Sequence, residues 1–369
     1  MSLPSTDAPT VAPGRFFLPG PTEVRPDVLE AQARPMIGHR GPGIQTLMGD
    51  LQAGLKDVFR TERPVFVSGS SATGLMEAAV RNSGGRVLSL VNGAFSERFA
   101  EIAEMCGLDV DRVEVPWGGH HDPEQLADHL RSGVYDAVTV VHSETSTGVL
   151  NDLDALSAVV AEHPHTLFLV DSVTGVGGAE LHTDAWRLDF VLTGSQKALA
   201  LPPGLAFGVA SDAMMARSAR TPNKGMYFDL EAFEANVQKL QTPNTPPLSL
   251  MYALQVQLAH MKRETMEGRW ARHTAMARRT WAWVEAMADS GIGLEVLAEP
   301  GHRSPTVTCI RVPEGMTAPP IVKGMAERGW VIGGGYGKLK DSTFRIGHMG
   351  DHTVAELDEL MLVLAEVIR

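Results

Sequence analysis

The chain has 369 residues, 44% hydrophobic and 21% charged, which is enough apolar material for a sizeable core and for two domains. Lys and Arg number 32 against 44 Asp and Glu, a net charge of −12. No basic cluster stands ready to neutralise a run of phosphates, so nucleic acid is not an expected partner. No apolar stretch approaches the roughly 20 residues that cross a bilayer, and no basic patch precedes an apolar one at the start, so a cytoplasmic location is expected.

Residues 1–14, rich in Pro, Ser, Thr and Ala without periodicity, predict a disordered lead, with order from about Arg15. From 64 to 210 short apolar runs (PVFVSG, RVLSLV, DAVTVV, TLFLVD, DFVLTG, LAFGVA) alternate with amphipathic stretches of about a dozen residues. That rhythm predicts an α/β unit with a mostly parallel sheet covered by helices on both faces. Past Leu250 a helical stretch runs from about 248 to 290 with a break expected around Gly268. TVTCIRV, a helix at 319–328, WVIGGG, STFRIG and a closing helix at 353–368 then predict a smaller α+β unit of antiparallel character. The expected division is 15–255 for the large unit and 256–369 for the small one. Cys106 and Cys309 read as packing residues, too few for a disulfide scaffold. His120-His121-Asp122, between glycines and Pro123, reads as a loop with Asp122 as helix cap, and no metal is expected.

Five elements carry chemistry. After the strand PVFVSG, the small residues Gly69 to Gly74 open a helix, where free N–H groups and the helix dipole suit a phosphate. Leu75 and Met76 stand where a nucleotide-hydrolysing loop needs Lys and Ser or Thr. His142-Ser-Glu-Thr-Ser-Thr-Gly148 follows a second strand and offers His142, Glu144 and a set of hydroxyls to a ring oxygen or a substrate carboxylate. Asp171 ends the strand TLFLVD, at the edge where parallel sheets bind ligands, and can pair with a pyridinium. Lys197, in a Gly/Ser loop between DFVL and ALALPPG, reads as interior, and a desolvated amine attacks carbonyls. Arg345, between Phe344 and Ile346, is costly to bury unless it meets an anion such as a carboxylate.

With these elements in this order the chain resembles the class V aminotransferases of the fold-type I pyridoxal-phosphate superfamily, nearest to the alanine–glyoxylate and serine–glyoxylate aminotransferases. The resemblance runs from Phe17 to the end and is carried by LPGPTEV at 18–24, ETSTGVL at 144–150, GSQKAL at 194–199 with PPG at 202–204, and RIGHMG at 345–350. It implies an α/β fold whose large domain holds a mostly parallel seven-stranded sheet, with pyridoxal 5′-phosphate as cofactor. It implies that Lys197 carries the cofactor as a Schiff base and shuttles the proton, and that Asp171 pairs with the ring nitrogen. Phe95 stands in the place of the aromatic residue stacked on the ring, and Val173 closes the other face. Ser71, Ala72, Thr73 and Gln196 match the phosphate cup, Thr145 the hydroxyl near ring oxygen and substrate, and Arg345 the grip on the substrate carboxylate. Gly20 lets the N-terminal segment approach the site. Family members are homodimers with shared active sites, and Thr245 matches a threonine supplied by the partner subunit. Thr242 stands where many glyoxylate aminotransferases carry tyrosine.

The implied reaction is ping-pong transfer of an amino group from alanine or serine to a 2-oxo acid, glyoxylate by resemblance. A specialised donor such as ureidoglycine stays open. So does a lyase, cysteine desulfurase or kynureninase-like; a desulfurase needs a mobile cysteine after the lysine, whereas Cys309 sits in a strand pattern. A non-catalytic protein that kept the fold for binding is the reading of another class.

Overall fold

An inner strand of a sheet covered on both faces has no solvent side, so its residues are apolar throughout rather than alternating. Ala137–Val141, Leu167–Asp171, Phe190–Gly194 and Ala206–Ala210 follow this rule except at Thr139, Asp171 and Thr193, and are buried at every position. The structure, a computed structural model, describes residues 11–369; the disordered lead expected at 1–14 lies, for residues 1–10, outside the described residues. The large sheet has seven strands in the order Phe66–Ser68, Ala206–Ala210, Phe190–Gly194, Leu167–Asp171, Ala137–Val141, Arg86–Val91, Asp109–Glu114. Neighbours run parallel except Ala206–Ala210, which is antiparallel to both of its partners. Strand Asp109–Glu114 has no apolar run to announce it. At the sheet edge its DVDRVE side chains stay largely in solvent, and polar, charged edges are tolerated there.

The second sheet has five strands, Phe16–Phe17, Val331–Gly334, Thr343–Gly347, Val307–Arg311 and Glu295–Val296. It is antiparallel apart from Phe16–Phe17, which runs parallel to Val331–Gly334. Phe16–Phe17 therefore joins the small sheet, not the large unit in which the sequence placed it. Phe17 stacks on His352 with ring centres 4.0 Å apart. From that anchor the chain crosses to the large sheet, where the Thr22 N–H donates to the Gln196 carbonyl at 3.0 Å and its hydroxyl to the Lys197 carbonyl at 2.9 Å.

Position 255, the expected division, lies inside the unbroken helix Leu248–Glu264. Met251, Leu254 and Met261 of that helix pack into the core of the large sheet, which extends to Trp270, while the second core, Phe17 apart, takes its residues from Met276 onward. The cores meet within helix Met266–Asp289. The helical break expected around Gly268 falls at Thr265, which takes φ +66° and whose hydroxyl accepts the Gly268 N–H at 3.1 Å, restarting the helix with a side-chain cap.

The next residue but three holds the units together. Arg269, 1% exposed, donates to the carbonyls of Gly177 at 3.1 Å and Ala198 at 2.7 Å and to the carboxylates of Glu264 and Asp351, each at 2.8 Å. Removing one partner of a buried charge pair costs about 3–5 kcal/mol, because the other charge stays buried. Arg269→Ala should lower the urea midpoint of unfolding by an amount in that range; a shift worth under about 1 kcal/mol would show that the network contributes little.

Candidate active site

The carboxyl ends of the parallel strands supply the site. After Ser68 the chain turns into helix Ala72–Arg81, whose N-cap residue Ser71 makes no side-chain capping bond. The Gly74 N–H turns back to the Ser71 carbonyl at 2.9 Å, which leaves the N–H groups of Ala72 and Thr73 for a ligand. After Leu167–Asp171, the Asp171 carboxylate accepts the Val173 N–H at 2.8 Å. Burial pushes this carboxyl up to about 7, with the Val173 N–H opposing and Glu144 adding to the rise. After Phe190–Gly194, the loop delivers Lys197, whose Nζ donates to the Pro19 carbonyl at 2.6 Å. Burial, then the charge of Arg345, brings this amine down to about 8, against the pull of Asp171.

These groups share a cavity of about 150 Å³. Its lining includes Ser71, Ala72, Thr73 and Gln196 together with Phe95, Thr145, Asp171, Val173 and Lys197. The Gln196 Oε1 is buried without a hydrogen-bond partner among the described residues. Gly20 lies against the lysine with φ +115°, and a Cβ there would overlap the Lys197 side chain. Arg345 reaches the cavity wall from the small sheet: its Nη1 donates to the Thr145 carbonyl at 3.2 Å and its Nε to the Gly334 carbonyl at 2.8 Å. The rest of its fork stays available for a carboxylate.

Thr245 does not line this cavity. It is exposed, 3.5 Å from His39 Nε2 through its hydroxyl, while Thr242 is buried with its hydroxyl given to the Asn244 carbonyl at 2.7 Å. The His142–Gly148 run needs correction. Glu144 is fully buried, and its carboxylate accepts the N–H groups of Phe95, Ser96 and Ser146 and both serine hydroxyls. It caps helix Ala94–Met105 and fixes Phe95 rather than offering itself to a ligand. His142 is bound to the Ser172 hydroxyl at 2.9 Å and burial drops it to about 3, so it stays neutral. Thr145 remains of that run at the cavity, joined by Ser143.

Beside the apolar lining residues Met76 and Val141, two polar residues escape the sequence reading. Arg98 lines the cavity, and Tyr336, on the loop after Val331–Gly334, receives its hydrogen bond at 3.0 Å. Tyr336 also packs 5.3 Å from the Phe95 ring and 5.5 Å from the Arg345 guanidinium carbon, between ring centres and atoms respectively. The spacing Phe95 to Arg98, one helical turn, was the available signal for the first. Tyr336 offers none in a Gly-rich loop.

The family model described as Aminotransferase class-V matches residues 31–336. The chain belongs to the class-V aminotransferases. It is 40% identical to an uncharacterised aminotransferase of Methanocaldococcus jannaschii over 91% of this chain and 87% of that one. An L-aspartate–glyoxylate aminotransferase of Paracoccus denitrificans is 36% identical over 92% and 87%. Among solved structures, an alanine–glyoxylate aminotransferase of Nostoc sp. superposes with TM-score 0.92 at 30% identity, covering 100% of this chain and 98% of that one. The large mostly parallel sheet is the fold of these aminotransferases.

In this aminotransferase the buried amine sets a pH dependence. With Lys197 near 8, its reaction with an aldehyde reagent should accelerate from pH 6 and level off above about 9, half-way near 8, since only the deprotonated amine attacks. A rate still climbing above pH 10 would place the amine in water. Gly20→Val should slow the same labelling by crowding Nζ, without moving the rate of other lysines.

Proposed function

We infer that this aminotransferase holds pyridoxal 5′-phosphate at Lys197 and passes an amino group from a small amino acid to glyoxylate in two half-reactions. The observation that carries this reading is the placing of a buried amine, a buried carboxyl and an uncapped helix start around one cavity. The residues fit the cofactor. A phosphate finds the first-turn donors with Ser71 and Thr73, and the orphaned Gln196 side chain supplies a further polar partner on the same wall. A protonated ring nitrogen returns Asp171 to its charged form, which burial otherwise disfavours.

The bound cofactor supplies a conjugated ring that takes up the electron pair released at the donor's α-carbon. Asp171 would keep the ring nitrogen protonated, and Phe95 and Val173, which line the same cavity, would hold the ring. Arg345 grips the substrate α-carboxylate with the part of its fork not bound to protein, so the α C–H bond is held in one orientation. Lys197 Nζ, with its depressed basicity, is the base that would take the α-proton and return it on the far side of the substrate nitrogen. Glyoxylate as acceptor rests on the names of the Paracoccus and Nostoc proteins, which share it while their donors differ. Alanine or serine as donor comes from the resemblance of the motifs.

A homodimer with shared active sites completes the reading. Thr245 is exposed and away from its own cavity, as a residue serving a partner's phosphate site must be. Among the described residues no helix is long and apolar enough to cross a membrane, and two free cysteines suit a reducing cytoplasm. A cysteine-desulfurase reading lacks its nucleophile: Cys309 is fully buried and burial pushes its thiol up to about 11.

Lys197→Ala should abolish the visible absorbance of the loaded enzyme and nearly all turnover. Arg345→Ala should keep the absorbance and raise KM for the donor by about 10- to 100-fold, the worth of a charge-assisted bond. An unchanged absorbance in the first variant, or an unchanged KM in the second, refutes the corresponding assignment.

A further inference from the structure

Between Ile332 and Lys338 the chain is glycine at every position but one. The exception, Tyr336, is the single side chain that this turn of the small unit can present, and the turn is held in place from two sides. A Cβ at Gly335 would run into the Leu339 carbonyl oxygen and the Thr343 hydroxyl, and that hydroxyl donates to the same carbonyl at 2.9 Å. On the other side Lys338 Nζ stands 4.3 Å from the ring centre of Trp117, which belongs to the large unit.

From this turn Tyr336 makes contacts of two kinds. Its ring lies under the Arg345 guanidinium, 5.5 Å from ring centre to carbon, while the Gly334 carbonyl two residues earlier accepts the Arg345 Nε at 2.8 Å. Ring face and carbonyl together fix the plane of that fork. Its hydroxyl accepts from Arg98 Nη2 at 3.0 Å, and its ring meets Phe95, one helical turn before Arg98, at 5.3 Å between centres. Among the described residues Arg98 has no carboxylate at ion-pair distance. A long side chain without an ion pair has many rotamers open to it, and one hydrogen bond at its tip selects among them. Where Arg98 stands matters to the chemistry, because behind burial its charge bears on both Asp171 and Lys197 and lowers both.

We propose that Tyr336 is a positioning residue of the transamination, its ring setting the Arg345 fork for the substrate α-carboxylate and its hydroxyl holding Arg98 at the cavity wall. The inference rests on the transaminase reading above. Tyr336 touches no reacting atom: through Arg345 it sets how well the donor is held, and through Arg98 it sets how readily the Lys197 amine gives up its proton. The two effects are separable, since the ring carries one and the hydroxyl the other. Both reach the site only while the small unit is seated against the large one.

The test separates ring from hydroxyl with two variants and two readouts, the donor KM of the loaded enzyme and the pH midpoint of aldehyde labelling at Lys197 in the unloaded one. Tyr336→Leu removes both groups and should raise KM about 3- to 30-fold, the worth of a partly buried cation–π contact. Tyr336→Phe keeps the ring and should restore KM to within about twofold of wild type, yet move the labelling midpoint to higher pH by roughly 0.3 to 1 unit, the scale of one partly screened charge. Arg98→Gln should show the same rise, and adding Tyr336→Phe to it should shift the midpoint no further. An unchanged KM in the leucine variant overturns the ring's role. An unmoved midpoint in the phenylalanine variant, or a further shift in the double variant, overturns the hydroxyl's. Equal losses of kcat/KM in both single variants with a lowered melting temperature would assign Tyr336 to the folding of its turn and overturn the proposal as a whole. A wild type with no cofactor absorbance and no turnover with any donor would instead defeat the underlying reading, while the labelling midpoints, read without cofactor, would still decide the hydroxyl's role.

Discussion

A lysine side chain taken out of water is the constraint around which the molecule is arranged. Nζ of Lys197 has one protein acceptor, the Pro19 carbonyl, and stands between a cation, Arg345, and an anion, Asp171, with burial as the largest influence on it. Desolvation disfavours the ammonium, and the nearer positive charge works in the same direction, so a group that is inert in solution becomes a base and nucleophile near neutral pH. The same burial raises Asp171. In the free protein the two groups are therefore poised against their usual charge states, and a ligand bearing a carbonyl and a basic ring nitrogen relieves both.

Keeping that amine dry and in place requires parts of the chain that are distant in sequence. The N-terminal segment, pinned by Phe16–Phe17 to the small sheet, lies over Lys197 through Pro19 and Thr22, and only glycine fits at 20. From below, Arg269 holds the carbonyl of Ala198, next to the lysine. The small unit supplies Arg345 and Tyr336, so that side of the site forms only where both units meet. Binding at such a junction couples substrate recognition to the relative placing of the two cores.

Much of this was legible because the decisive residues break a pattern. Asp171 and Lys197 are polar residues at the ends of apolar runs, and Arg345 is a charge inside one; burial makes each expensive without a task. The inner strands were legible from continuous apolar runs. What stayed hidden had no such contrast. Asp109–Glu114 is a polar edge strand, Thr265 restarts a helix through a rare backbone angle that sequence does not announce, and Phe16–Phe17 finds its partner more than 300 residues away. Arg98 reads as one more solvated helix arginine until the fold turns it to the cavity. Glu144 misled in the opposite sense, since a carboxylate near a strand end can serve a helix as well as a ligand, and only its hydrogen bonds decide.

The central claim, that the amine at 197 is the one joined to the cofactor, is tested most directly by loading the protein with pyridoxal phosphate, reducing with borohydride, digesting, and locating the added mass. The account predicts a phosphopyridoxyl group on the peptide carrying Lys197 and on no other. Its appearance on a different lysine, or its absence after loading, would contradict it.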